Sequence, residues 1–328
     1  MENRPRVFIS RTIPAEALKM IEAECEVVVW DHDTQPPREK VLVEVSKADG
    51  VLSMLTEKID AQVIAAATNL RVISNFAVGY DNIDVDAATA RGIPVGNTPG
   101  ILTETTADHA FMLLAAAARR LPESMEYIKQ GKWQTWNPTT LLGQDIYGAT
   151  LGIIGMGRIG HAVAKRAQGF GMRILYHGGS DKQFADETGG QSVDLETLLR
   201  ESDFVTLHVP LTDETRHLIG KDEFVIMKST AILINTARGG VVDTNALVDA
   251  LKNDVIGGAA LDVTDPEPIP PDHPLLQLPN CIVAPHTGSA TEATRAKMAD
   301  IAAKNLLAGL RGERLPHCVN PEVYEGQP

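Results

Sequence analysis

The stretch Thr150–Tyr176 constrains this chain more than any other. An apolar run, Leu151, Ile153 and Ile154, leads into Gly155, Gly157 and Gly160. A helical pattern follows in Ile159, Ala162, Val163, Ala167 and Phe170, and a second apolar run, Ile174 and Leu175, closes the stretch. Strand, glycine turn, helix and strand in that order form the opening unit of a doubly wound sheet. The glycines have separate physical jobs. Gly155 permits the tight turn, Gly157 lets backbone approach a pyrophosphate, and Gly160 lets the helix pack close to the strand. Free N–H groups at the helix start then face the phosphates. The predicted dinucleotide site therefore runs through Gly155, Met156, Gly157, Arg158, Ile159 and Gly160.

Residues 1–98 alternate in the same way. Strands are expected at Val7–Ser10, Val27–Val29, Val51–Ser53, Val72–Ser74 and Ile93–Val95. Helices are expected at Pro14–Glu24, Ile59–Ala67 and Val85–Ala90, with a helical segment around Val41–Val45. Such alternation predicts a parallel sheet covered on both faces. Asn97-Thr98-Pro99-Gly100 is a breaker cluster and a hinge. Beyond it Thr103–Arg120 reads as an alanine-rich helix, apolar on more than one face, and so buried or pressed against another subunit. Pro122–Tyr147 reads as a loop-rich arm holding Trp133 and Trp136, in a chain only 5% aromatic.

After the glycine unit, helices are expected at Lys182–Thr188, Leu195–Arg200, Lys221–Met227 and Thr244–Lys252. Strands are expected at Phe204–His208, Ala231–Asn235, Gly258–Leu261 and Ile282–Ala284. Pro285 is a second breaker, and Ala290–Leu310 a long helix. A length of 328 residues suits two domains.

The net charge is −13 and no basic patch stands out, which argues against a nucleic-acid partner. No apolar run approaches the ~20 residues of a membrane helix, and the N-terminus lacks a signal-peptide core. A cytoplasmic protein without a membrane partner is expected. The three cysteines are widely spaced, with no Cys/His cluster to suggest metal.

Several motifs stand in one order: N-F-A-V-G-Y-D-N-I-D (75–84), G-I-I-G-M-G-R-I-G (152–160), H-V-P-L-T-D-E-T (208–215), I-N-T-A-R-G-G-V-V-D (234–243), G-A-A-L-D-V (258–263), D-P-E-P (265–268) and A-P-H-T-G-S-A-T (284–291). Together they resemble the D-isomer-specific 2-hydroxyacid dehydrogenase family, and within it the glyoxylate/hydroxypyruvate reductase branch. The resemblance covers nearly the whole chain. It implies an α/β fold of two Rossmann-like domains, one flavodoxin-like and one NAD(P)-binding, each a doubly wound parallel sheet, with an active-site cleft between them. The substrate domain would be discontinuous, 1–98 plus 287–328. The cofactor domain would be 99–286, with a dimerisation arm at about 103–147. The hinges at Pro99 and Pro285 fit that division independently.

Reducing a 2-oxo acid requires a held carboxylate, a polarised carbonyl, a hydride and a proton donor. His286, just after an apolar strand, is where a sheet places a group beside its cofactor. The resemblance makes it the general acid in reduction and the general base in oxidation. Glu267 has proline on both sides, and as a carboxylate partner it would stabilise the imidazolium. Asp262, Asp265 and Asp272 are alternatives on charge alone; the family pattern selects Glu267. Arg238 offers a planar fork suited to a carboxylate and carbonyl pair. Gly239 and Gly240 would keep its surroundings uncrowded. The resemblance also makes 77–81 the substrate-carboxylate loop, through the backbone N–H groups of Val78 and Gly79. Leu55 would be a pocket wall, and Trp136 would be supplied by the partner subunit of a homodimer.

Further cofactor contacts implied by the resemblance are Thr106, Val209, Pro210, Thr215, Thr236, Ala237, Arg238, Asp262, His286 and Gly288. Cofactor choice rests on the segment after the second strand, His177-Gly178-Gly179-Ser180-Asp181-Lys182. NAD-preferring members usually place an acid here for the ribose hydroxyls, and 177 and 178 carry none. Members of this branch that use NADP often carry arginine near 179, where this chain has Gly179. Ser180 and Lys182 remain as groups for a 2′-phosphate. The reading is NADP(H) preferred, with NAD(H) left open. The expected activity is reduction of glyoxylate or hydroxypyruvate to the D-2-hydroxy acid. Alternatives are a 3-phosphoglycerate, D-lactate, formate or phosphonate dehydrogenase, and a nucleotide-sensing scaffold like the corepressors that share the fold.

Overall fold

The computed structural model describes residues 4–179 and 186–325. The chain divides into two compact units, 1–102 with 290–328, and 103–289. These limits fall a few residues beyond the hinges read at Pro99 and Pro285.

The first unit has five parallel strands: β1 (Arg6–Ile9), β2 (Glu26–Val29), β3 (Gly50–Ser53), β4 (Val72–Asn75) and β5 (Val95–Gly96). Their order is β2-β1-β3-β4-β5, the flavodoxin-like winding, which leaves a crevice outside the carboxyl ends of β1 and β3. β3 and β4 are buried along their whole length, as expected for strands covered on both faces. One face packs Val41, Val45, Val63 and Ile64. The other is covered by the Ala15–Glu24 helix and by the returning Glu292–Leu310 helix, through Met298, Ala302, Leu306 and Leu310. Ile59 is not helical: it bridges Ile83. Asp60 instead caps the Ala61–Ala66 helix, its side chain accepting from Val63 N–H.

Among the described residues the second unit has seven parallel strands: β6 (Thr150–Ile154), β7 (Arg173–His177), β8 (Gln191–Ser192), β9 (Phe204–Leu207), β10 (Ile232–Asn235), β11 (Gly258–Leu261) and β12 (Cys281–Val283). The order β12-β11-β10-β9-β6-β7-β8 reverses between β6 and β9, the topological switch point of a dinucleotide-binding sheet. The Thr103–Ala118 helix is buried within this unit through Ala107, Ala110, Phe111 and Leu114 and packs on the Arg158–Gln168 helix. Its alanines let the two helices approach closely.

Two elements differ from the sequence reading. β8 is short and polar, so it carries no apolar signal, and the expected Lys182–Thr188 helix falls partly outside the described residues. The arm at 122–147 is not all loop: Leu121–Lys129 is a helix with no buried residue. Its Leu121, Met125 and Ile128, at i, i+4 and i+7, form one apolar stripe, each more than half exposed. Among the described residues no helix is long and apolar enough to cross a membrane, and no group of His, Cys, Asp or Glu is arranged to hold a metal.

Candidate active site

The glycine turn occupies the switch point. Gly155 has φ +98°, and a Cβ there would lie 2.8 Å from the His208 carbonyl group. A side chain at Gly160 would lie 2.3 Å from Gly155 O, so the helix meets the strand backbone to backbone. Gly157 has nothing within 4 Å of a would-be Cβ. It precedes the first turn of the Arg158–Gln168 helix, where no side chain caps the N–H groups. Open space above free N–H groups suits a phosphate.

Further expected cofactor residues of this unit follow β7, β9 and β10. Gly155 N–H donates to His177 O and Met156 N–H to Gly178 O. Gly179 has φ +100°, and a Cβ would sit 2.8 Å from the Met156 backbone. An arginine at this position would collide, which explains the glycine. Ser180 and Lys182 lie outside the described residues. Val209 touches the Gly155 turn, and Thr215 Oγ1 donates to Pro210 O at 2.6 Å, closing the loop after β9. Thr236 Oγ1 is buried with no hydrogen-bond partner. Burial pushes His208 down to about 3, so its ring is neutral; its Nε2 lies 3.0 Å from Thr206 Oγ1.

Arg238, Glu267 and His286 follow β10, β11 and β12, three neighbours in the sheet. Buried Asn235 shapes the Arg238 turn: its Oδ1 accepts from Ala237 N–H at 3.0 Å, and its Nδ2 donates to Arg238 O at 2.9 Å. The Arg238 guanidinium donates to Ala237 O. Gly239 is required by its neighbour rather than by the arginine. A Cβ would lie 2.0 Å from Thr264 O, so the Arg238 turn rests on the loop carrying Glu267.

His286 Nδ1 lies 2.6 Å from Glu267 Oε1, and Glu267 Oε2 accepts from Thr264 N–H at 3.3 Å. A carboxylate can only accept, so Nδ1 carries the proton and Nε2 is left for another partner. Both side chains stay about a quarter exposed. His286 has φ +54°, a left-handed conformation that costs a non-glycine residue about 1–3 kcal/mol. Asp262 holds it there. The Asp262 carbonyl accepts from His286 N–H at 2.9 Å, and its carboxylate accepts from Thr287 N–H at 2.7 Å and Gly288 N–H at 2.8 Å. Burial works against the Asp262 charge, but His109, 3.0 Å away, and those two amides outweigh it and keep the carboxyl below its usual range. Thr106 meets the same corner, 3.5 Å from a would-be Cβ on Gly288. His109 was not singled out from the sequence, since a histidine inside an alanine-rich helix carries no motif.

The chain as a whole is similar to known proteins. The family model for the D-isomer specific 2-hydroxyacid dehydrogenase NAD binding domain covers residues 111–288. The chain belongs to that family. A glyoxylate reductase of Korarchaeum cryptofilum is 56% identical over 328 residues, 99% of this chain and 98% of its own. A crystal structure of a Thermus thermophilus protein matches with a TM-score of 0.89 and 48% identity, covering 96% of this chain and 99% of that one. An NADPH-dependent glyoxylate/hydroxypyruvate reductase of Sinorhizobium meliloti, crystallised with NADP and malonate, matches at a TM-score of 0.87 and 32% identity over 99% and 100% of the two chains. Like other D-isomer specific 2-hydroxyacid dehydrogenases, this chain is an oxidoreductase that uses a nicotinamide cofactor on a CH–OH group. The open Gly157 turn and the unpartnered Thr236 hydroxyl fit such a dinucleotide.

In the first unit, Leu55 is half-buried in the turn after β3, and Val78 and Gly79 lie in the loop after β4. Asn82 joins these two loops: its Nδ2 donates to Met54 O at 2.9 Å and to Glu57 O at 3.0 Å. Glu57, almost wholly buried, accepts from Met54 N–H, Thr56 Oγ1, Ser10 Oγ and Arg11. The Leu55 turn is thereby fixed at the crevice between β1 and β3. Trp136, in the arm of the second unit, is 79% exposed.

Proposed function

We propose that this dehydrogenase reduces a small 2-oxo acid, glyoxylate or hydroxypyruvate, to the D-2-hydroxy acid. The observation that carries the proposal is the His286–Glu267 pair beside the Arg238 turn at the carboxyl ends of β10–β12. When bound, the reduced nicotinamide supplies the hydride. Arg238 holds the carboxylate and polarises the carbonyl, Val78 and Gly79 N–H groups bind the carboxylate, and Leu55 limits the pocket. His286 gives the Nε2 proton to the developing alkoxide, while Glu267 keeps the ring oriented and stabilises the imidazolium that precedes reduction and follows oxidation. A relative named glyoxylate reductase, 56% identical over nearly the whole chain, supports this substrate class.

The proposal includes a preference for NADPH. His177, Gly178 and Gly179 offer no carboxylate to the ribose hydroxyls, and so nothing to repel a 2′-phosphate. It also includes a homodimer. The exposed stripe Leu121, Met125 and Ile128, with Trp133 and Trp136, is more apolar surface than one chain covers by itself. Trp136 of the partner subunit then closes the substrate pocket.

Loss of nicotinamide absorbance with glyoxylate, then hydroxypyruvate, tests the reaction. Turnover is expected with both, with kcat/KM higher for NADPH than for NADH. No turnover with any small 2-oxo acid overturns the function, and a reversed cofactor ratio overturns the preference. Glu267→Gln should lower kcat about a hundred- to ten-thousandfold, because a neutral partner no longer fixes the imidazole tautomer or supports its charge. A kcat within about twofold of wild type removes Glu267 from the mechanism.

A further inference from the structure

The loop proposed to bind the substrate carboxylate is held by its carbonyls. Thr98 N–H donates to Ala77 O at 2.9 Å. The neighbouring Asn97 side chain donates through Nδ2 to Val78 O at 2.8 Å. Asn75 Nδ2 donates to Gly79 O at 2.9 Å. Three successive peptide units are thus pinned at their oxygens. A trans peptide is planar, with N–H opposite C=O. Pinning the oxygens of 77, 78 and 79 therefore fixes the N–H directions of Val78, Gly79 and Tyr80. Thr98 and Asn97 are adjacent, so the first two oxygens are drawn toward one segment and the Val78 and Gly79 N–H groups are turned away from it together. No described group accepts from these N–H groups. Consecutive N–H groups facing one way form an anion-binding concavity.

We propose that Asn97 is a positioning residue for the substrate carboxylate, acting through the Val78 carbonyl, with Asn75 holding the next peptide. The residue itself need not touch the substrate. Asn97 is anchored from behind: its carbonyl accepts from Asn305 Nδ2 at 2.9 Å, and Asn305 Oδ1 accepts from His317 N–H at 3.0 Å. Asn75 is anchored by Ser53, whose hydroxyl donates to Asn75 Oδ1 at 2.9 Å. Both amides are therefore set before any substrate arrives, so binding does not have to order the loop. The inference rests on the proposed carboxylate role of the 77–81 loop.

The test compares wild type with Asn97→Ala, which removes the donor, and Asn97→Asp, which sets a carboxylate against the Val78 oxygen. Five quantities are measured on each: KM and kcat for glyoxylate, the inhibition constant of oxalate, the dissociation constant of NADPH, and Tm. The Ala variant should raise both KM and the oxalate constant about five- to tenfold, the effect of one lost hydrogen bond, and Asp should raise them further. NADPH affinity should stay at the wild-type value, and kcat within about twofold. Unchanged KM and oxalate constants would overturn the proposal. So would a loss shared equally by NADPH affinity and Tm, because that marks general softening of the fold. If wild type fails to reduce glyoxylate, the functional reading fails separately. Oxalate binding to the NADPH complex, measured by calorimetry, still decides whether Asn97 positions an anion site.

Discussion

His286→Ala is expected to lower kcat by about a hundred- to ten-thousandfold, while the cofactor still binds. The size follows from what the ring supplies. Its Nδ1 is committed to Glu267 at 2.6 Å, which leaves Nε2 as the proton donor to the alkoxide. Alanine leaves the backbone intact, with Asp262 still accepting from the amides of residues 286, 287 and 288. The loss should therefore appear in kcat. Steady-state kinetics beside a fluorescence titration of NADPH separates chemistry from binding. A variant that keeps wild-type kcat would refute the assignment of the proton donor.

Arg238→Ala should cost about a hundred- to thousandfold in kcat/KM, the range for removing a preorganised donor to a developing oxyanion. KM should rise and kcat fall together, since the guanidinium is proposed to hold the carboxylate in the ground state and the carbonyl oxygen in the transition state. Arg238→Lys should recover little, because a point charge cannot reproduce the planar fork. An unchanged kcat/KM in the alanine variant would sink the role. Because Asn235 shapes the turn through the 237 and 238 backbone rather than the side chain, neither replacement should disturb the path of the chain.

Much of the fold was legible because parallel strands buried on both faces announce themselves as short apolar runs. Val51–Ser53, Val72–Ser74 and Phe204–Leu207 show this, and the structure places strands over all three. β8 was invisible for the opposite reason: Gln191 and Ser192 pair along the edge of the sheet and bury nothing. The Leu121–Lys129 helix has a regular apolar stripe, but the tryptophans and prolines around it drew attention to the loops instead. Among the site residues, Gly155 and Gly160 could be explained individually, since each answers a local steric demand. The Gly239 requirement was misattributed, because its neighbour Thr264 is distant in sequence. Asn97 and Asn75 stand inside a breaker cluster and a motif, but nothing in the sequence marks their amides as positioning groups, because a positioning amide has no spacing rule. Its partner is a carbonyl that any residue could present.

The return of the chain into the first unit sets the order in which the molecule can be completed during synthesis. The Glu292–Leu310 helix supplies Met298, Ala302, Leu306 and Leu310 to a core that also holds Val7, Ile9, Leu52 and Val72 of the sheet and Ala17 and Ile21 of the Ala15–Glu24 helix. Those strands leave the ribosome early, with one face of their sheet covered only in part, by the Ala15–Glu24 helix. The intervening unit, 103–289, has all of its own strands and can close first. The oldest part of the nascent polypeptide is thus the last to be shielded. A truncation before residue 292 would uncover the part of the β1–β5 sheet that the Glu292–Leu310 helix shields, leaving it prone to self-association, while the dinucleotide-binding unit could still fold.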